Sequence, residues 1–113
     1  MRKIERQMNF AISNNGNSSL SNTSVEYNEN SNCSNVFLHG HNIATVAHGT
    51  NSVKLSSCGW ETVTTKSRLN AILQEVKTGL SIFQKQFEWF LNGLGKTVDF
   101  FDGMILLDSG EVA

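Results

Sequence analysis

The chain has 113 residues, 9 basic against 10 acidic side chains and a formal net charge of -1, so no global field draws it to nucleic acid or to an anionic membrane. Its hydrophobic fraction of 39% and charged fraction of 17% both lie below the globular norm, and uncharged polar residues fill the difference. Its apolar runs, such as Met104-Ile105-Leu106-Leu107, fall far short of the ~20 residues that cross a bilayer, which excludes a spanning helix.

The first residues, Met1-Arg2-Lys3-Ile4-Glu5-Arg6, are basic but lead into Asn and Ser rather than an apolar stretch, so no secretory signal is expected. From Asn9 to Asn35, Asn and Ser dominate, and Phe10, Ile12 and Leu20 fall into no sustained period. Residues 1–22 are therefore predicted to be a flexible arm, and residues 23–113 one folded domain.

Thr23-Ser24-Val25-Glu26-Tyr27 has the β-branched and aromatic content of a short strand, and Asn28 to Asn32 supply turn residues. Asn35 to Val46 reads as one extended strand, broken or bulged at Gly40. Ser52-Val53-Lys54-Leu55-Ser56 alternates polar and apolar residues and is expected to form a hairpin with that run. One helix is predicted, starting near Thr64-Thr65, carrying the stripe Leu69, Ile72, Leu73, Val76 and Leu80 and stopping at Gly79. Phe83, Phe87, Trp89 and Leu91 alternate along a long strand or a hairpin bulged near Gln84-Lys85-Gln86. Asn92-Gly93-Leu94-Gly95 marks a turn, and Thr97 to Phe101 with Met104 to Leu107 supply the last strands. The fold class is α+β, a small antiparallel sheet of about four to six strands with one helix across it.

The densest motif runs from Gly59-Trp60 to Asn70-Ala71, at the corner between strand and helix. As architecture, Trp60 would plug the end of the core, Thr64 or Thr65 would cap the helix and Asn70 would tie a neighbouring backbone. As a site, the free N–H groups of a helix start, with Lys66 and Arg68 beside them, would attract an anion or an acidic surface. The candidate binding residues are Trp60, Thr62, Thr64, Thr65, Lys66, Arg68 and Asn70, with Trp60 and Leu69 structural and the two cations functional.

Around this corner the sequence resembles a family of small uncharacterised bacteriophage proteins. The matching segments are Leu38-His39-Gly40 with Ile43-Ala44, Gly59-Trp60 through Asn70, Gln84-Lys85 with Trp89, and Asp102-Gly103-Met104. They cover the last two thirds of the chain and leave the Asn-rich leader outside. Phe87 stands where a Lys-x-Gly-x-Trp hairpin would have glycine. The resemblance implies a phage origin and the host cytoplasm as the place of action, and it carries no activity with it.

Cys33, His39, His41, His48 and Cys58 include metal-ligating residue types, but no Cys-x-x-Cys knuckle, so no metal or other cofactor is expected. Two cysteines are too few for a disulfide scaffold, and free thiols are expected. With no nucleophile elbow, no paired-cysteine redox motif and no phosphate-cradling loop, binding rather than catalysis is the expectation. A host protein complex, such as a defence or nucleic-acid-processing complex, is the first partner class. A nucleic acid held by Trp60, Lys66, Arg68 and Lys54 is the second, and assembly as a minor virion component is the third.

Overall fold

The computed structural model describes residues 1–113. Two helices, α1 (Lys3–Ser13) and α2 (Val63–Val76), accompany nine strands. These are β1 (Ser18–Leu20), β2 (Thr23–Asn28), β3 (Cys33–Leu38), β4 (His41–Ala47), β5 (Ser52–Leu55), β6 (Ser81–Lys85), β7 (Glu88–Gly93), β8 (Lys96–Asp99) and β9 (Met104–Leu106). The α+β class and the antiparallel sheet stand, with a second helix and a second sheet added.

Strands β1 to β5 form an antiparallel meander that β9 extends at its far edge, in the order β1-β2-β3-β4-β5-β9. Alternation decides the two faces. Val25, Val36, Val46, Val53 and Leu106 are buried, while the cross-strand row Glu26, Asn35, Thr45, Lys54 and Ile105 lies outward. The inner face meets both helices, and β6-β7-β8 form a separate three-stranded sheet beside α2. A single cluster of 22 buried apolar residues joins all of these.

The predicted strand from Asn35 to Val46 is two strands. His39 (φ 51) and Gly40 (φ 80) both take left-handed backbone, which makes the two-residue turn that suits the twist of a hairpin. The hairpin of this region with β5 forms as expected, pairing Ala47 with Ser52. Near Gln84-Lys85-Gln86 there is no bulge but a tight turn through Gln86 (φ 52) and Phe87 (φ 67), with Lys85 opposite Glu88.

The flexible arm is corrected outright. Residues 3–13 are helical and bury Glu5, Met8, Asn9, Ala11 and Ile12 against α2 and β2, and Ser18–Leu20 adds an edge strand. The helical stripe at i, i+3, i+4 and i+7 is Glu5, Met8, Asn9 and Ile12, so two polar residues disguise it in the sequence. Asn9 is buried because its Nδ2 donates to the Ala71 carbonyl oxygen across the helix pair, at 2.9 Å.

Deleting residues 1–22 is therefore expected to abolish cooperative thermal unfolding, because it strips the core of Met8, Ala11 and Ile12 and removes the Glu5 carboxylate. A truncated chain melting cooperatively at the parent temperature would contradict this. Phe87 is 91% exposed in a backbone conformation that penalises any Cβ. Phe87→Gly is expected to raise stability by about 0.5–1 kcal/mol, the relief of left-handed strain less the added freedom of the unfolded chain, measurable by denaturant titration.

Candidate functional site

The segment between β5 and α2 turns the corner through a backbone held at several points. Asp102 accepts from the Ser57 N–H (2.7 Å), the Ser57 hydroxyl (2.8 Å) and the Gly59 N–H (3.3 Å). The Trp60 N–H donates to the Ser57 carbonyl oxygen and the Thr62 N–H to that of Trp60, both at 2.9 Å. Cys58 (φ 55) and Gly59 (φ 81) carry the left-handed conformations that make so sharp a turn.

Helix α2 starts one residue before the predicted caps. Thr62 is the cap, its hydroxyl accepting from the Thr65 N–H at 3.1 Å and contacting the Thr65 hydroxyl at 2.9 Å. The helix also stops short of Gly79, at Val76 with Lys77 as its C-cap, while Leu80 is buried beyond the helix end.

Two side chains exchange the parts expected of them. Trp60 does not plug the core: it is 60% exposed, and Val63 at the helix start is 70% exposed. Arg68 is not a free cation: it is 3% exposed and makes the molecule's one salt bridge, to Glu5 at 2.8 Å. Its Nε donates to the Thr23 hydroxyl at 2.9 Å and its Nη2 to Asn22 Oδ1 at 3.3 Å, while Ser67 donates to the same Glu5 oxygen at 2.6 Å. The physical reason lies in α1, which brings a buried carboxylate that a guanidinium must neutralise.

Asn70 is architectural in the way the motif allows. Its amide donates to the Ile82 carbonyl oxygen (2.9 Å) and accepts from the Ile82 N–H (2.7 Å), clamping β6 onto α2. Lys66 is partly exposed and makes no ion pair.

What remains of the motif surrounds a cavity of about 440 Å³. Trp60, Thr62, Thr64 and Thr65 line one side, and His39, His41, Leu38 and Ile43 from the β3–β4 hairpin line the other, with Ser57 between. The hairpin turn is held by the His39 N–H donating to the Asn22 carbonyl oxygen at 2.8 Å, so the residue that meets Arg68 also fixes this wall. The centroids of the Trp60 and His41 rings lie 6.4 Å apart, with the planes 34° from parallel. Sequence reasoning missed His39 and His41 as partners of the corner, because their apposition depends on a hairpin at His39-Gly40 rather than a continuous strand.

The metal-ligating residue types do not converge. Cys33 and Cys58 are free thiols, His48 shares a hydrogen bond with the Ser34 hydroxyl at 2.8 Å, and no group of three His, Cys, Asp or Glu residues is placed to hold an ion. Of the proposed nucleic-acid contacts, Arg68 is buried and Lys54 lies on the outer face of the large sheet, away from the lining of the Trp60 cavity.

Fold and site together define a small α+β protein with an aromatic-flanked pocket and no helix long and apolar enough to cross a membrane. The chain matches the family model of the Kyanoviridae Gp96 protein over residues 1–107 and belongs to that phage protein family. The match includes the Asn-rich leader that the resemblance had left outside. No curated protein and no solved structure matches it.

The exchange of roles sets a testable contrast. Arg68→Glu, which sequence alone would place harmlessly at a helix start, is expected to unfold the protein or cost at least about 3–5 kcal/mol, since it buries two carboxylates together. Trp60→Ala and Lys66→Glu are each expected to stay within about 0.5 kcal/mol of the parent in urea denaturation.

Proposed function

We infer that this chain is a non-catalytic phage accessory protein that binds a host protein in the host cytoplasm through the Trp60 corner. The observation that supports the reading is an exposed tryptophan on a backbone held by Asp102, lining a cavity, with Val63 three residues further on also exposed. A large aromatic exposed on a held backbone next to a concavity is the pattern of an interface hot spot, because the backbone that carries it has little freedom left to lose on binding.

Binding is favoured over catalysis by the state of the nearby hydroxyls. Ser57 donates to Asp102, and Thr62 and Thr65 serve the helix cap, so none of them stands against a histidine as an activated nucleophile. A protein partner is favoured over nucleic acid because Arg68 faces Glu5 and the cavity lining holds no Lys or Arg to meet a phosphate. A host defence or nucleic-acid-processing complex that the phage inhibits or redirects is the target class.

The test is capture from infected cells with the tagged parent, Trp60→Ala and Val63→Asp, followed by direct binding to the purified target. The parent is expected to retain a host protein that both variants lose while melting cooperatively. Equal binding by both folded variants would reject the corner as the interface. Salt-sensitive recovery of nucleic acid, or recovery of the protein from purified particles, would replace the reading with a nucleic-acid binder or a virion component.

A further inference from the structure

Each of the two sheets ends in two outer strands, and all but one of these edges is closed or short. Beyond β9 the chain folds back on itself: Val112 bridges to Leu106, the Leu107 N–H donates to the Glu111 carbonyl oxygen and the Ala113 N–H to that of Ile105. Beyond β6 the Asn70 side-chain amide bonds both the N–H and the carbonyl oxygen of Ile82, as a neighbouring strand would. Strand β1 is three residues long and, by the alternation of an antiparallel pair, turns only the Ser19 backbone outward.

Strand β8 is left open. Gly93 and Lys96 close the two-residue turn through Leu94 (φ 54) and Gly95 (φ 74), and the Phe100 N–H donates to the Trp89 carbonyl oxygen at 3.0 Å, so Lys96, Val98 and Phe100 direct their backbone groups to β7. Thr97 and Asp99 alternate with them, and their N–H and C=O groups point away from the sheet, where no other part of the chain pairs with them. Both residues are exposed, and neither a proline nor a bulge guards the strand. We propose that this edge pairs with the same edge of a second copy, β8 against β8 about a twofold axis at Val98. One continuous sheet then runs through β6, β7 and β8 and back through the same strands of the copy.

The occupant follows from the way the strand matches itself. Antiparallel pairing about a twofold axis keeps every side chain on its own face, so the outward residues Thr97 and Asp99 meet either each other or themselves. Asp99 against Asp99 sets like charges directly opposite, and Thr97 against Thr97 leaves Asp99 opposite Gly95 of the turn. Thr97 against Asp99 satisfies the outward groups of both residues, and the twofold axis repeats the match. The two side chains share the face of Asn92 and Phe90, on residues about 5.5 Å apart across the new pair, which lets the Thr97 hydroxyl, now donating to Asn92 Oδ1 at 3.0 Å, reach the carboxylate. On the other face the half-buried Val98 lies directly against Val98 of the second copy. A contact built on a strand of four residues belongs with the transient interfaces that bury less than about 1,200 Å². The pair carries two Trp60 corners, so a target with two sites is held by avidity.

The experiment is sedimentation of the full chain between about 10 µM and 1 mM, the range of a transient association, with amide exchange followed by NMR over the same concentrations. The average mass is expected to rise towards that of a dimer while the Thr97 and Asp99 amides slow in exchange. Thr97→Asp, which sets a new carboxylate opposite Asp99 of the second copy at both symmetric positions, is expected to weaken association by about 3- to 30-fold, and Thr97→Lys to tighten it by a similar factor. Adding Asp99→Lys to Thr97→Asp is expected to restore the parent affinity. All three variants are expected to melt cooperatively, since both positions lie on the exposed edge. A monomeric mass throughout the range would overturn the proposal. So would a dimer whose affinity ignores the sign of the charge at position 97, or one that leaves the exchange of the Thr97 and Asp99 amides unchanged.

Discussion

The Glu5–Arg68 pair is the constraint on which the arrangement of this molecule turns. It joins α1 to α2 through a 2.8 Å contact in the interior and reaches β2 through Thr23 and the β1–β2 turn through Asn22. A buried ion pair contributes little net stability compared with apolar packing of the same volume, but an unpaired buried charge is costly, so the pair strongly disfavours other registers of the two helices. With the register set, Asn9 meets Ala71 and Asn70 meets Ile82.

That interior geometry reaches the surface by two routes. Arg68 lies in α2 only six residues after the Thr62 cap, so fixing it also fixes the helix start that carries one wall of the pocket. Asn22 receives the guanidinium on its side chain and the His39 N–H on its backbone, so the opposite wall is referred to the same point. The third element, the Ser57–Gly59 turn, is held independently by Asp102 from the segment before β9. Trp60 thus projects from a frame assembled by three distant parts of the chain.

Most strands were legible because their alternation and turn residues are local signals, as in Thr23–Asn28 and Ser52–Leu55. The second helix was legible from Leu69, Ile72 and Leu73, while its companion was hidden because Glu5 and Asn9 occupy core positions of the first helix. Hydropathy reads such residues as solvent-facing, and only their partners, 63 and 62 residues away, explain their burial. The same blindness reversed Trp60 and Arg68, since intrinsic preference places tryptophan inside and arginine outside unless a specific partner intervenes. The corner was found as a motif, but its opposite wall depended on a two-residue turn at His39 and Gly40, where the glycine signalled a break or bulge and not a reversal of the chain.

The order of α1 long before α2 has a consequence during synthesis. Its guanidinium partner leaves the ribosome 63 residues later, an interval of about 3–13 s at ordinary translation rates. Throughout it Met8 and Ile12 lack the α2 surface that covers them, and β9, which closes the far edge of the large sheet, is made later still. The nascent chain therefore holds an uncovered amphipathic segment until α2 is made and an open sheet edge until β9 is made, so the domain's two closing contacts both wait on residues far along the sequence from α1.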